Sequence, residues 1–131
     1  MTARHASCSC GQLRIETSGE PFRVSVCHCL NCKRRSGSAF AVQARFARAN
    51  VAIEGRSSEY VLTGDSGQPA TFHFCPGCGA TVYYQMAQSP EVVAIPVGAF
   101  ADPTFPAPVY SVYEGRQHPW VQLLGQMEHH D

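Results

Sequence analysis

The sequence carries little charge and no excess of either sign. Only 15% of its 131 residues are charged, ten basic against ten acidic, so the formal net charge is zero. A protein that binds nucleic acid or anionic lipid through a general field needs a basic excess, and here only a local basic patch remains open. No window approaches the roughly 20 consecutive apolar residues of a membrane span. The N-terminal MTARHASCSC lacks the apolar core of a secretory signal. Neither nucleic acid nor membrane is therefore an expected partner, and the cytoplasm is the expected location. There is no low-complexity tract, no repeat of convincing length and no linker. A chain of this length with 44% hydrophobic residues is expected to form a single domain over 1–131, with a core that needs no disulfide.

Period-two alternation dominates what is present. LRIET at 13–17 suits a half-buried strand, as does FRVSVC, with Phe22, Val24 and Val26 on one face. SAFAVQARFA continues the pattern through Phe40, Val42, Ala44 and Phe46, and only LNCKRR between them looks helical. Beyond residue 50, VAIEG, SEYVLTG, ATFHFC, ATVYYQM, VVAIPVGAF and PVYSVY are short runs broken by Gly, Pro, Asp and Ser, which predicts a mainly β protein. The three prolines of ADPTFPAP, 101–108, predict an irregular connection. At strand spacing, Phe40, Phe46, Phe72, Phe74, Tyr83 and Tyr84 are expected in the core rather than around a pocket, and Trp120 is ambiguous.

The seven cysteines fall into three clusters: Cys8 and Cys10, then Cys27, Cys29 and Cys32, then Cys75 and Cys78. An odd number cannot pair fully within the chain, and a reducing compartment favours metal ligation. In FCPGCGA, Pro76 and Gly77 tighten a turn between two ligands and Gly79 can take a positive φ, as in a zinc knuckle. A redox or disulfide role for Cys75 and Cys78 is the competing reading, but no βαβ pattern surrounds them.

Zinc in a closed site takes four ligands, so the knuckle needs a second pair. Residues i and i+2 of an extended segment share a face, which qualifies both Cys8 with Cys10 and Cys27 with Cys29. Counting favours the first pair. Cys8, Cys10, Cys75 and Cys78 then close one site, and Cys27, Cys29 and Cys32 remain as three ligands with an open fourth position, the pattern of a catalytic zinc. The opposite choice strands Cys8, Cys10 and Cys32. His28, His73 and His118 are available to complete the second site, but none carries ligand spacing. A four-cysteine site also suits a rubredoxin-like iron. Lys33, Arg34 and Arg35 follow the last ligand, where they either offset an anionic metal centre and hold a substrate carboxylate or form a solvated basic turn.

The run C-x-C-G, then CHCLNCKRRSGSAF, then FCPGCG, with VGAFADP and PWVQLLGQM beyond it, resembles the glutathione-dependent formaldehyde-activating enzyme family, which includes centromere-protein-V-like proteins. The resemblance implies a β-tent fold of antiparallel sheets held by zinc. It also implies a structural zinc on Cys8, Cys10, Cys75 and Cys78 and a catalytic zinc on Cys27, Cys29 and Cys32. The implied activity is of the carbon–sulfur lyase type: a thiol, glutathione, adds to formaldehyde or a related small aldehyde to give S-hydroxymethylglutathione. Arg34 and Arg35 would be candidate glutathione contacts. The alternative class is a zinc-stabilised binding module without catalysis, to which some β-tent proteins belong.

Overall fold

Alternating apolar and polar residues extend most of the chain, and its Gly and Pro residues fall where strands end. The computed structural model describes residues 2–64 and 66–131. Among these, β1 (Ala3–Ser7), β2 (Arg14–Ser18) and a later strand, β5 (Val51–Glu54), form an antiparallel sheet in the order β1-β2-β5. The remaining strands are β3 (Arg23–Cys27), β4 (Ala41–Ala47), β6 (Ser58–Thr63), β7 (Pro69–Phe74), β8 (Thr81–Met86), β9 (Val92–Pro96), β10 (Tyr110–Val112) and β11 (Glu128–His129). They make one sheet in the order β11-β10-β3-β4-β9-β8-β7-β6. The protein is thus mainly β, as the alternation predicts.

The core lies between the two sheets, because Ala6, Ile15 and Val51 of the small one share a buried cluster with Val24, Phe46 and Ile95 of the large one. Phe46 and Ile95 are 1% and 0% exposed, and burying a side chain of that size stabilises by about 1.5–3 kcal/mol. Phe22 does not join them. It precedes β3 rather than lying in it, and it is 61% exposed, so the shared face begins at Val24.

LNCKRRS is helical, forming α1 (Leu30–Ser36), which joins β3 to β4. It has no β-branched residue. The Cys29 side chain caps its start by accepting from the Cys32 amide, and left-handed Gly37 ends it.

One expectation is corrected. The large sheet is mixed, not purely antiparallel: β10 runs parallel to β3, with Tyr110 opposite Ser25 and Val112 opposite Cys27, and parallel to β11. The cause lies in the connection after β9. Pro103, Pro106 and Pro108 have no N–H to give a ladder, so the segment 101–109 forms no strand as it returns along the sheet, with Phe105 packed against the core. It enters β10 in the direction of β3, and a parallel pair requires such a crossover. β1 and β11 lack a strand signature in the sequence, since ARHAS offers only Ala6 to the core and EH is too short to show a period.

Candidate metal centres

Two tight turns bring the first sulfur group together. The Cys8–Cys10 turn links β1 to β2 and is closed by the Cys8 amide donating to Leu13 O at 2.9 Å. The knuckle links β7 to β8 just after a bulge at His73 and Phe74, the kind of irregularity that re-aims a strand end. It is closed by the Cys75 amide on Ala80 O at 3.0 Å and the Gly79 amide on Cys75 O at 2.8 Å, and Gly79 has a φ of 81°. A side chain at that φ would be strained, which is why the turn takes glycine.

The sulfurs of Cys8, Cys10, Cys75 and Cys78 all lie within 4.8 Å of one another, with 3.6 Å from Cys10 to both Cys8 and Cys75. Sulfurs each about 2.3 Å from one tetrahedral ion stand about 3.8 Å apart, so this group fits a metal. It does not fit a disulfide, whose sulfurs are about 2.05 Å apart. Donors surround the group. The Leu13 amide donates to Cys8 Sγ and the Gly77 amide to Cys75 Sγ, each at 3.3 Å, and the Gln12 side-chain amide donates to Cys75 Sγ at 3.0 Å. The Gln12 bond, with backbone amides of the knuckle, holds the Cys75 thiol down at about 6, toward the thiolate that ligation needs.

The second group forms where β3 gives way to α1. Cys27 ends the strand, Cys29 caps the helix and Cys32 lies in its first turn, and their three sulfurs also lie within 4.8 Å of one another. Sharing of protons among them pushes Cys29 down to about 2 and Cys27 up, so one sulfur ionises well before the rest. The Cys32 amide donates to Cys29 Sγ at 3.3 Å, and the Arg35 guanidinium stands 3.9 Å from Cys32 Sγ. Three ionisable sulfurs beside a guanidinium form a donor set that fits a soft cation such as zinc.

The histidines join neither group. His28 is fully buried, with Nε2 3.2 Å from Ser111 Oγ, and burial holds it below 6.5. His73 stacks on Tyr83 and bonds Ser57, while His118 stacks on Trp120, which is 74% exposed.

A cavity of about 300 Å³ opens beside the three-sulfur group, lined by Cys27, Cys29 and Cys32 and floored by β3 and β4. Two of the aromatic residues expected in the core border it: Phe72, which is half-buried, and Tyr84, which is buried as expected, the two meeting edge to face with centroids 4.6 Å apart. Arg35 lies over both rings, at 4.9 and 5.4 Å, which fixes its guanidinium near Cys32. Phe46 and Tyr83 are core residues. Arg34 and Arg35 both line a second cavity, with Tyr60, Phe72 and Phe74, that reaches no cysteine, and of the two arginines named from the sequence only Arg35 also lines the first. Lys33 turns to the Arg116 carbonyl. Neither cavity is lined by a cysteine of the four-sulfur group.

Arg23, Ser25, Gln43 and Arg45 also line the first cavity, and the sequence reading passed over them. Their signal was present in RVSV and VQARF, where the polar partners of an alternating pattern sit on strands that have neighbours on both sides. Such polar residues face either solvent or a lined pocket, and Ser25 and Gln43 are each 3% exposed.

The fold and its cysteine groups define a mainly β protein with two candidate metal centres, one of four sulfurs and one of three that lines a cavity. The chain belongs to the glutathione-dependent formaldehyde-activating enzyme family, whose profile it matches over residues 3–116. The crystal structure of a Rhodobacter sphaeroides protein superposes with a TM-score of 0.56 at 24% identity, over 72% of this chain and 85% of that one, which is a likeness of fold. No curated protein shows significant similarity to the chain. Among the described residues, no helix is long and apolar enough to cross a membrane.

Proposed function

We propose that the protein is a zinc-dependent enzyme of the carbon–sulfur lyase type that adds the thiol of glutathione to formaldehyde, or to a related small aldehyde, giving S-hydroxymethylglutathione. The observation that carries this reading is that the three-sulfur group is the one that lines a cavity. In this reading Cys8, Cys10, Cys75 and Cys78 hold a structural zinc within a cytoplasmic, single-domain β-tent fold over 1–131. Cys27, Cys29 and Cys32 hold the catalytic one.

Zinc on three thiolates would supply an open position that favours the thiolate form of an entering thiol. The addition itself balances without an oxidant. The thiol loses its proton, its sulfur forms a bond to the carbonyl carbon, and the C=O pair moves to oxygen, which takes up a proton. The chain's own residues set the conditions. Arg35, held at Cys32 by the faces of Phe72 and Tyr84, offsets the negative charge that accumulates on the sulfurs. Burial pushes Tyr84 up to about 12, so it lines the cavity as a neutral phenol at any working pH.

Uncatalysed addition of thiols to formaldehyde is fast, so the test is a comparison of rates. NMR exchange spectroscopy of formaldehyde hydrate, glutathione and their adduct should show faster exchange with the zinc-loaded protein than with metal-free protein or Cys32→Ser. Equal exchange in all three would refute the reading and leave a zinc-stabilised binding module.

A further inference from the structure

The floor of the cavity beside the three-sulfur group has a direction. Residues i and i+2 of a strand share a face, so Arg23, Ser25 and Cys27 project together from β3. Their β4 partners in register are Arg45, Gln43 and Ala41. Cys27 thus stands at one end, Ser25 and Gln43 form the middle, and Arg23 and Arg45 form the far end, four residues or about 13 Å along the strand from Cys27.

The far end is cationic, and its charge is uncompensated among the described residues. Arg45 donates to Ser25 Oγ at 2.8 Å and the Arg23 guanidinium lies 4.2 Å over the Tyr110 ring, so both are positioned, but neither has a carboxylate within salt-bridge distance among the described residues. Two other arginines of the protein are neutralised, Arg4 by Glu20 and Arg14 by Glu54. Between the two arginines and the sulfurs lies Gln43, whose Oε1 is buried and has no hydrogen-bond partner. Leaving a buried acceptor unmet is costly, and a ligand N–H in the cavity would recover that cost.

We propose that this end of the cavity is a recognition subsite for the amino-acid end of the thiol substrate, with a carboxylate on Arg23 and Arg45 and an adjacent N–H donated to Gln43 Oε1. The proposal rests on the thiol reading above and sharpens it. The substrate class is a thiol carrying a carboxylate and an N–H group within one cavity length of its sulfur, and Arg23, Gln43 and Arg45 set specificity while the cysteines and Arg35 act at the sulfur. A guanidinium fork suits a carboxylate better than an ammonium does. Small neutral thiols reach the sulfurs without this contact and gain nothing from it.

The test uses the full chain with Co²⁺ in its cysteine sites, where an entering thiolate changes the charge-transfer bands. Glutathione, its dimethyl ester and 2-mercaptoethanol are titrated in turn. S-methylglutathione, which has the carboxylates but no thiol, is titrated by calorimetry as a readout independent of the metal. The ester should bind about tenfold or more weaker than glutathione to the unaltered protein. Arg23→Gln and Arg45→Gln should each weaken glutathione and S-methylglutathione by a similar factor and leave 2-mercaptoethanol unchanged, which also shows that the variants are folded. Gln43→Leu should weaken both peptides by a smaller factor. Equal binding of glutathione and its ester, or arginine variants that lose all three thiols alike, would overturn the subsite while sparing the thiol reading. Bands that no thiol alters would overturn both.

Discussion

Gly55→Ala is expected to destabilise the fold and to loosen the four-sulfur group in particular. Gly55 follows β5 with a φ of 99°. A Cβ there would stand 2.0 Å from the Gln12 carbonyl oxygen, 2.8 Å from its carbonyl carbon and 2.9 Å from Leu13 Cα. Carbon atoms rest about 3.5–4.0 Å apart, and all three obstacles are backbone, so no side chain can rotate aside. One segment must shift. Forcing a side chain into that φ region costs about 1–3 kcal/mol and overpacking about as much again, which makes a loss of about 2–6 kcal/mol.

The shift would not stay local. The Gln12 side chain accepts from the Arg56 amide at 3.0 Å, donates to Arg56 O at 2.7 Å and donates to Cys75 Sγ at 3.0 Å, so moving its backbone disturbs a sulfur of the knuckle. Urea unfolding followed by circular dichroism measures the first effect, and metal release to a chromophoric chelator measures the second. Gly98→Ala is the control, because its Cβ would meet no atom within 4 Å. It should change stability by less than about 0.5 kcal/mol. A Gly55→Ala protein as stable as that control, releasing metal no faster, would refute the argument.

Cys75→Ser should prevent stable folding, since structural zinc contributes about 10–16 kcal/mol apparent in small zinc peptides. Cys32→Ser should lose one metal per chain and keep a cooperative melt within about 2 kcal/mol of the unaltered protein; equal damage from the two substitutions would refute the division of roles. Stability should also fall at acid pH through Glu114. Burial acts to raise its carboxyl, but hydrogen bonds from His129 and Ser111 outweigh that and hold it below 4.5. The unfolded chain therefore binds that proton first, so the contribution is complete above pH 4.5 and is lost as the pH drops through the lower native value. Glu114→Gln should flatten this part of the stability curve, and an unchanged acid limb would count against the His129–Glu114 contact at 2.7 Å as its cause.

Strands with a clean period were legible in the sequence because their register against the core decides burial: Val24, Ala44 and Phe46 behave as the alternation requires. So was the short helix after Cys29. The parallel entry of β10 was not legible, because prolines in 101–108 announce an irregular segment without saying on which side of the sheet it ends. The cysteine spacing carried the candidate metal centres, since a metal confines its ligands to a few ångströms whatever the fold between them. The cavity had a weaker signature, the polar positions of RVSV and VQARF on strands with neighbours on both sides. Gln43 and Arg45 read as the outer face of a strand, and only the placement of β10 on one side and of Phe72 and Tyr84 above turns that face into a lined pocket.

The surroundings of the two sulfur groups differ in a way that fits different work. Cys8 and Cys75, with 3% and 0% exposure, sit in the core cluster between the sheets, and backbone amides of Leu13 and Gly77 aim at them together with Gln12. Such donors are part of the fold, so the sulfurs they hold cannot move without moving strands β2, β7 and β8. The other group draws on one helix amide and a long arginine side chain, at the junction of one strand and a helix that buries none of its own residues. Two of its three sulfurs, those of Cys29 and Cys32, therefore belong to the start of α1 rather than to a strand. On the proposed reading, a centre that exchanges its fourth ligand is served by this lighter tethering, and a centre joining the two sheets is served by donors that belong to the fold.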